Sequence, residues 1–295
     1  MNNITFKTIT DLATAEEIWR ELSPSARLTD DWAYRYTYYK FFNYPLFFFT
    51  AFEDEKAVGV LPLQWNSDSN VLQFFGGSHM EDNQMYVKPG YESLKAALIK
   101  QIDRPALLEW MTDDIPGIPN VQIQEYKYEF PLSKITSIDD YLERYWNAKP
   151  RQNLRAQLRK LHEQNIKVEY NVFSDFDLMV ELNKMRFGEE SGFLRPHRLE
   201  FFKEIMTLFP MQIISISLNG KKVSIGMSIF YKGTYVGLNS GTDSSINGLG
   251  KFLILQKMTQ ALSLGATLYD ARSENLGWKE AFHFDKRPLY SLEIK

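Results

Sequence analysis

The chain alternates between strand and helix periodicity along most of its length. Ile4–Ile9 reads as a strand. From Asp11 to Leu22 the apolar residues Leu12, Ala15, Ile18, Trp19 and Leu22 recur at helical spacing along one stripe. A second helix is predicted with Thr29 or Asp30 as its N-cap, carrying Trp32, Tyr36 and Tyr39. Leu46–Glu53, Ala57–Trp65 and Val71–Phe75 follow as strands. They are joined by Asp54-Glu55-Lys56 and by Asn66-Ser67-Asp68-Ser69, polar runs of hairpin type. Pro89-Gly90 precedes a helix from Tyr91 to about Ile102. Ala106–Met111 and Val121–Phe130 are strands, separated by the Pro- and Gly-containing loop Ile115–Pro119.

The second half repeats this order. Ile166–Phe173 is a strand. One helix, capped by Ser174 or Asp175, runs to about Arg186, and another spans Pro196 to Phe209. The strands Gln212–Leu218, Lys222–Tyr231 and Thr234–Ser240 are linked by the tight turns Asn219-Gly220 and Lys232-Gly233. Gly248 opens a helix to about Leu264, and Gly265 lies just past its end. Thr267–Ala271 and Leu289–Ile294 are the last strands. Lys56-Ala57-Val58-Gly59-Val60 is mirrored by Lys221-Lys222-Val223-Ser224-Ile225, 165 positions later. Between the halves a long helix runs from about Ile138 to Gln164. A kink or restart is expected near Lys149-Pro150, because proline deep in a helix removes a hydrogen bond and clashes. The expected fold class is α/β of the α+β kind. It has two tandem domains, 1–136 and 137–295, each with a mixed, mostly antiparallel sheet.

Composition narrows the chemistry. The 295 residues carry 34 Lys+Arg against 37 Asp+Glu, a net charge of −3, which argues against a protein that lives on DNA. Cysteine is absent, which removes disulfides, thiolate metal sites and cysteine nucleophiles. His79, His162, His197 and His283 show no metal-ligand spacing, so no metal is expected. The N-terminus lacks the basic start and apolar run of a signal peptide. The greasiest stretch, Phe41 to Phe52, contains Asn43 and Pro45 and is too short to span a bilayer. A cytoplasmic setting without a membrane span is expected.

The element order, with a Gly-rich turn after the fourth strand, resembles the GNAT superfamily of N-acyltransferases. The tandem arrangement resembles its Fem-like and CelD-like branches. The residues that carry this are Gly241-Thr242-Asp243, Gly248-Leu249-Gly250-Lys251-Phe252-Leu253-Ile254, Tyr269-Asp270-Ala271-Arg272 and Gly277-Trp278-Lys279-Glu280-Ala281-Phe282. The basic helix around Arg151-Gln152-Asn153-Leu154-Arg155 and the stretch Val58–Leu63 look like the CelD-like branch. The resemblance implies a degenerate first domain and an acyltransferase second domain that begins with this basic helix. It implies transfer of an acyl group from acyl-coenzyme A to a small-molecule or cell-envelope amine. A Fem-like transferase using aminoacyl-tRNA, or a degenerate pair acting as a binding module, is the alternative. The oligomeric state stays open.

The resemblance also assigns residues. Gly248, Leu249, Gly250 and Lys251 form a loop-to-helix junction, where unpaired N–H groups and the helix dipole favour an anion. The family holds the coenzyme pyrophosphate at this turn; the same turn would also serve as an ordinary helix start. The Arg or Gln usual three residues before the first glycine is here Ser245. The backbone of Leu238 and Ser240 is the oxyanion and cofactor contact that single-domain members use. Lys279 resembles the family lysine that stabilises developing negative charge. Asp270 and Glu274 are the candidate general bases, ahead of Asp243. Arg151 and Arg155 are candidate anion grips on the acceptor, or a solvated face. His79 and Asp82, with Glu81, follow Gly76-Gly77 and are candidate substrate contacts.

Overall fold

A computed structural model describes residues 3–77, 79–274 and 277–295. Their contacts fall into two units. The first comprises Met1–Lys127, Ser273–Asn275 and Lys286–Lys295; the second comprises Tyr128–Arg272 and Leu276–Asp285.

In the first unit, β1 (Ile4–Ile9) leads into α1 (Leu12–Leu22) and α2 (Trp32–Phe42). Asp11 caps α1 by accepting from the Thr14 N–H. The cap of α2 is Asp31, one or two residues beyond the expected Thr29 or Asp30, because its carboxylate reaches the Ala33 and Tyr34 N–H groups. The strands β2 (Leu46–Glu53), β3 (Lys56–Asn66) and β4 (Val71–Phe74) form an antiparallel meander. A two-residue strand β5 (Tyr86–Val87) pairs with β3, followed by α3 (Leu94–Ile99) and β6 (Ala106–Met111). The expected helix from Tyr91 is thus a single short segment. β4 and β6 pair in parallel at Leu72 and Ala106. Alternation along β2 sends Phe48 to one core with Trp19, Trp32 and Phe75, and Phe49 to another with Leu61, Leu98 and Leu108. Burying each large apolar side chain stabilises the fold by roughly 1.5–3 kcal/mol.

Strand β7 (Gln122–Pro131) leads into the second unit. The expected long helix is two: α4 (Ile138–Tyr145) and α5 (Ala148–His162). The chain turns extended at Trp146, and Pro150 falls in the first turn of α5. Proline is tolerated there because a first-turn N–H has no intrahelical partner to lose. Next come β8 (Lys167–Tyr170), α6 (Phe176–Phe187) and α7 (Arg198–Leu208). β9 (Met211–Leu218), β10 (Lys221–Tyr231) and β11 (Thr234–Thr242) form the second meander, and α8 (Leu249–Ser263) crosses to β12 (Leu268–Asp270). The strand order in this unit is β7-β12-β11-β10-β9-β8, with β11 and β12 parallel. One core gathers Tyr128, Tyr141, Leu154, Tyr235, Met258 and Phe284; another gathers Leu161, Ile214, Ile216, Leu249 and Phe252.

A short helix α9 (Trp278–Ala281) and the strand β13 (Asp285–Ile294) end the chain. The sequence places this last strand with the second domain. Its residues from Lys286 onward instead belong to the first unit. There Tyr290 to Ile294 pair antiparallel with Met111 to Ala106, and Leu292 is buried beside Leu108. The division at Lys127, with a returning C-terminal strand, also differs from the expected cut at 136/137.

Candidate active site

Strand β11 loses its parallel neighbour a third of the way along. Thr234, Tyr235 and Val236 pair with Leu268, Tyr269 and Asp270, where β12 ends, while β11 continues to Thr242. Immediately past this point the register with β10 slips. Gly237 faces Ser228 and Asn239 faces Met227, so Leu238 is the extra residue of a β-bulge. Leu238 stands at this break, and Ser240 lies two residues beyond it, facing Gly226. Behind it packs α6. A Cβ on Gly241 would stand 2.2 Å from the Met179 carbonyl oxygen, so only glycine lets this helix approach. From α6 the buried Asn183 donates to the Ser240 carbonyl at 2.8 Å and accepts from the Ser191 hydroxyl at 2.8 Å. Nothing in the local sequence pattern singles out this asparagine, because its partner is 57 residues away.

The glycine turn after β11 also forms. Gly248 is left-handed, at φ 84°, and caps α8. Around the position of a Gly250 Cβ no atom lies within 4 Å, so the first turn is open to solvent on that side. Lys251 is exposed and reaches Gln157 at 3.3 Å. Leu249 is fully buried in the core, and its N–H donates to the Ile246 carbonyl at 3.3 Å. Its side chain therefore packs the helix start into the core. Ser245, standing where the family has Arg or Gln, is bound to Asp243 through its N–H and hydroxyl.

Asp270 and Lys279 converge on one residue. Asp270, 7% exposed at the end of β12, accepts from the Arg272 N–H at 2.8 Å. Lys279, 4% exposed on α9, donates to the Arg272 carbonyl at 3.1 Å, with Nζ 5.3 Å from the Tyr128 ring centroid and 5.7 Å from that of Trp278. Arg272 has a left-handed backbone at φ 62°, so the two side chains clamp a tight turn. Glu274 is exposed and lies on the loop beyond.

The remaining candidates are engaged within their own units. Arg151 donates to the carbonyls of Leu142 and Glu143 at 3.3 Å, closing the C-terminal end of α4, and pairs with Glu143 at 2.7 Å. Arg155 pairs with Glu143 at 3.0 Å and Asp139 at 3.6 Å. In the first unit, His79 lies beside the Tyr38 ring. Asp82 is 2% exposed and is held by Lys127, Arg287 and Arg27. Burial alone would raise its pKa. The charges of Lys127, Arg287 and Arg27 outweigh that and hold it well below the usual carboxylate range. Its neighbour Glu81 accepts from the Ser273 N–H and hydroxyl.

Residues 148–280 match the family model described as the acetyltransferase (GNAT) domain. The second half of the chain thus carries a GNAT-type transferase domain. The match begins at the first residue of α5 and ends within α9, so it spans the bulge, the glycine turn and Lys279. No curated protein matches the chain by sequence. Among solved structures, a conserved protein of unknown function from Bacteroides thetaiotaomicron VPI-5482 superposes with TM-score 0.63 at 12% identity, over 99% of this chain and 100% of that one. A crystal structure of FemX superposes with TM-score 0.62 at 12% identity, over 97% and 96%. A tandem GNAT protein from the clavulanic acid biosynthesis pathway superposes with TM-score 0.54 at 10% identity, over 99% and 98%. At these identities the likeness is one of fold, and it extends over both units of the chain. Among the described residues no helix is long and apolar enough to cross a membrane, and no cluster of three or more His, Asp and Glu could hold a metal ion.

Proposed function

We propose that this GNAT domain moves an acyl group from acyl-coenzyme A onto the nitrogen of a small-molecule or cell-envelope amine. The observation that carries this reading is the break in β11. Past Val236 the strand has β10 on one side and no β12 on the other, and the bulge at Leu238 stands at the start of the open edge. An open edge offers backbone N–H and C=O groups to an extended thioester chain, as a further strand would. An N–H at the bulge is suited to the negative charge that gathers on the carbonyl oxygen as the amine attacks. Gly248 and Gly250, at the start of the helix that follows, suit a phosphate-bearing donor: the helix dipole is positive there and the space over Gly250 is open. The attacking amine loses its proton to a base, for which Asp270 and Glu274 remain the candidates, and the thiolate leaves. Calorimetry and product mass spectrometry with acetyl- and longer acyl-coenzyme A test the reading. No heat and no acylated amine with any of them would sink it.

A second reading is a Fem-like transfer from aminoacyl-tRNA. Superposition with FemX over nearly both entire chains favours it, together with Lys279 in the segment where the resemblance puts the family's charge-stabilising lysine. The two readings part at that residue. Lys279→Ala should cost a Fem-like enzyme about 10²-fold or more in turnover, whereas an enzyme using the bulge N–H keeps most of its activity. Turnover with neither donor would leave a GNAT-shaped binding module.

A further inference from the structure

A buried lysine beneath the β11 bulge has no role in the scheme above. Lys257 stands on α8 and is 7% exposed. Its stem runs across Gly226 of β10, where a Cβ would come within 2.6 Å of Lys257 Cε, so that glycine makes room for the lysine. Its ammonium donates to the carbonyls of Met227 and Asn239, each at 3.4 Å. Burial alone sets its acidity, bringing the pKa down to about 8, and no carboxylate among the described residues contributes.

The geometry of those two bonds fixes a direction. Oxygens that share one nitrogen at 3.4 Å must both point into the gap between β10 and β11, since neighbouring strands lie only about 4.8 Å apart. Met227 and Asn239 are also the last facing pair before the register slips. The Asn239–Ser240 peptide is trans, so its N–H points opposite to its C=O. With the Asn239 carbonyl turned into the gap, the Ser240 N–H points out of it, toward the edge that β12 leaves open. Asn183 holds the Ser240 carbonyl from the other helix layer.

Stability does not account for a lysine here. Methionine would fill the same space without burying a charge, and an ammonium with only carbonyl partners destabilises the fold that contains it. We propose that Lys257 is a positioning residue for acyl transfer: by holding the Met227 and Asn239 carbonyls across the bulge, it aims the Ser240 N–H at the edge where the donor carbonyl reacts. This rests on the acyl-transfer reading. Lys257 acts through the backbone and touches no substrate.

The test uses full-length Lys257→Met and Lys257→Gln, with thermal unfolding, residue-resolved amide exchange, and kinetics on an acceptor that the parent acylates. Lys257→Met should unfold at the same or a higher temperature, exchange its Ser240 amide at least tenfold faster, and lose about tenfold or more in kcat with donor KM moving less than about twofold. Lys257→Gln, which keeps one donor, should fall between. Retained kcat in Lys257→Met overturns the proposal. So does a lower unfolding temperature with kcat and KM worsening together, the mark of a packing residue. If the parent transfers no acyl group, the functional reading fails on its own, and the exchange measurement still decides whether the lysine clamps the bulge.

Discussion

Each unit runs a three-stranded antiparallel meander into a crossover that ends in a parallel strand, β4 to β6 in one and β11 to β12 in the other. The crossover helices differ. α3 has six residues and follows a loop that includes Asp82, whereas α8 has fifteen and starts directly at Gly248. Buried charge is handled in opposite ways. Asp82 meets Lys127, Arg287 and Arg27, which tie the loop to β7, β13 and the segment before α2. Among the described residues Lys257 meets only carbonyls, those of Met227 and Asn239 across the β10–β11 pair. A closed ion cluster is what a unit needs to hold its parts together. An ammonium held by carbonyls alone weakens the fold, and the positioning role proposed for Lys257 is what would offset that cost.

The comparison is sharpest at the two charges. Asp82→Asn removes the buried carboxylate that Lys127, Arg287 and Arg27 share and should destabilise the full chain by about 3 kcal/mol, read from denaturant midpoints. Lys257→Met, by contrast, should cost nothing. Acidity separates the same two residues. The Asp82 carboxyl is depressed in the fold, so its contribution is present above the unfolded value near 3.9 and is lost as pH falls below it. The Lys257 ammonium is depressed too, to about 8, but for a cation the sign reverses. The unfolded lysine, with a pKa near 10.4, binds the proton that the folded one has released. Stability linked to Lys257 therefore rises between about pH 8 and pH 10. Unfolding profiles should lose the acid slope in Asp82→Asn and the alkaline rise in Lys257→Met; an unchanged profile in either variant breaks the comparison.

A smaller effect is expected at the helix starts. Gly250→Leu replaces glycine with a better helix former, so α8 should gain up to about 1 kcal/mol, while the new side chain fills the open space over the first turn. Donor affinity should drop about tenfold by calorimetry as stability rises. Equal affinity would remove the glycine turn from the binding site. The smallest change belongs to Arg155→Gln. Its pairs with Glu143 and Asp139 are exposed, so stability should move by less than about 0.5 kcal/mol. A loss of acceptor affinity without a loss of stability would restore the arginine to the substrate site.

The meanders, the tight turns at Asn219-Gly220 and Lys232-Gly233, and the glycine start of α8 were all legible from the chain, because each depends on neighbours a few residues away. A break near Lys149-Pro150 was legible, but a proline marks either a kink or the first turn of a new helix, and only the surrounding fold chose the restart at Ala148. The segment from Tyr269 to Phe282 was legible as a motif, but the convergence of Asp270 and Lys279 on Arg272 was not.

Sequence by itself determined the class of fold, the order of its elements and the family model that residues 148–280 match. Hydrophobic period and turn chemistry act locally, and the order in which they recur is already a topology. Tertiary structure alone decided where the last strand pairs, which residue bulges and what each buried charge meets. Leu292 has an apolar partner only once β6 presents an edge. Leu238 becomes an extra residue only against β10. Lys257 and Asn239 are 18 positions apart, and nothing in either residue's neighbourhood announces the bond that joins them.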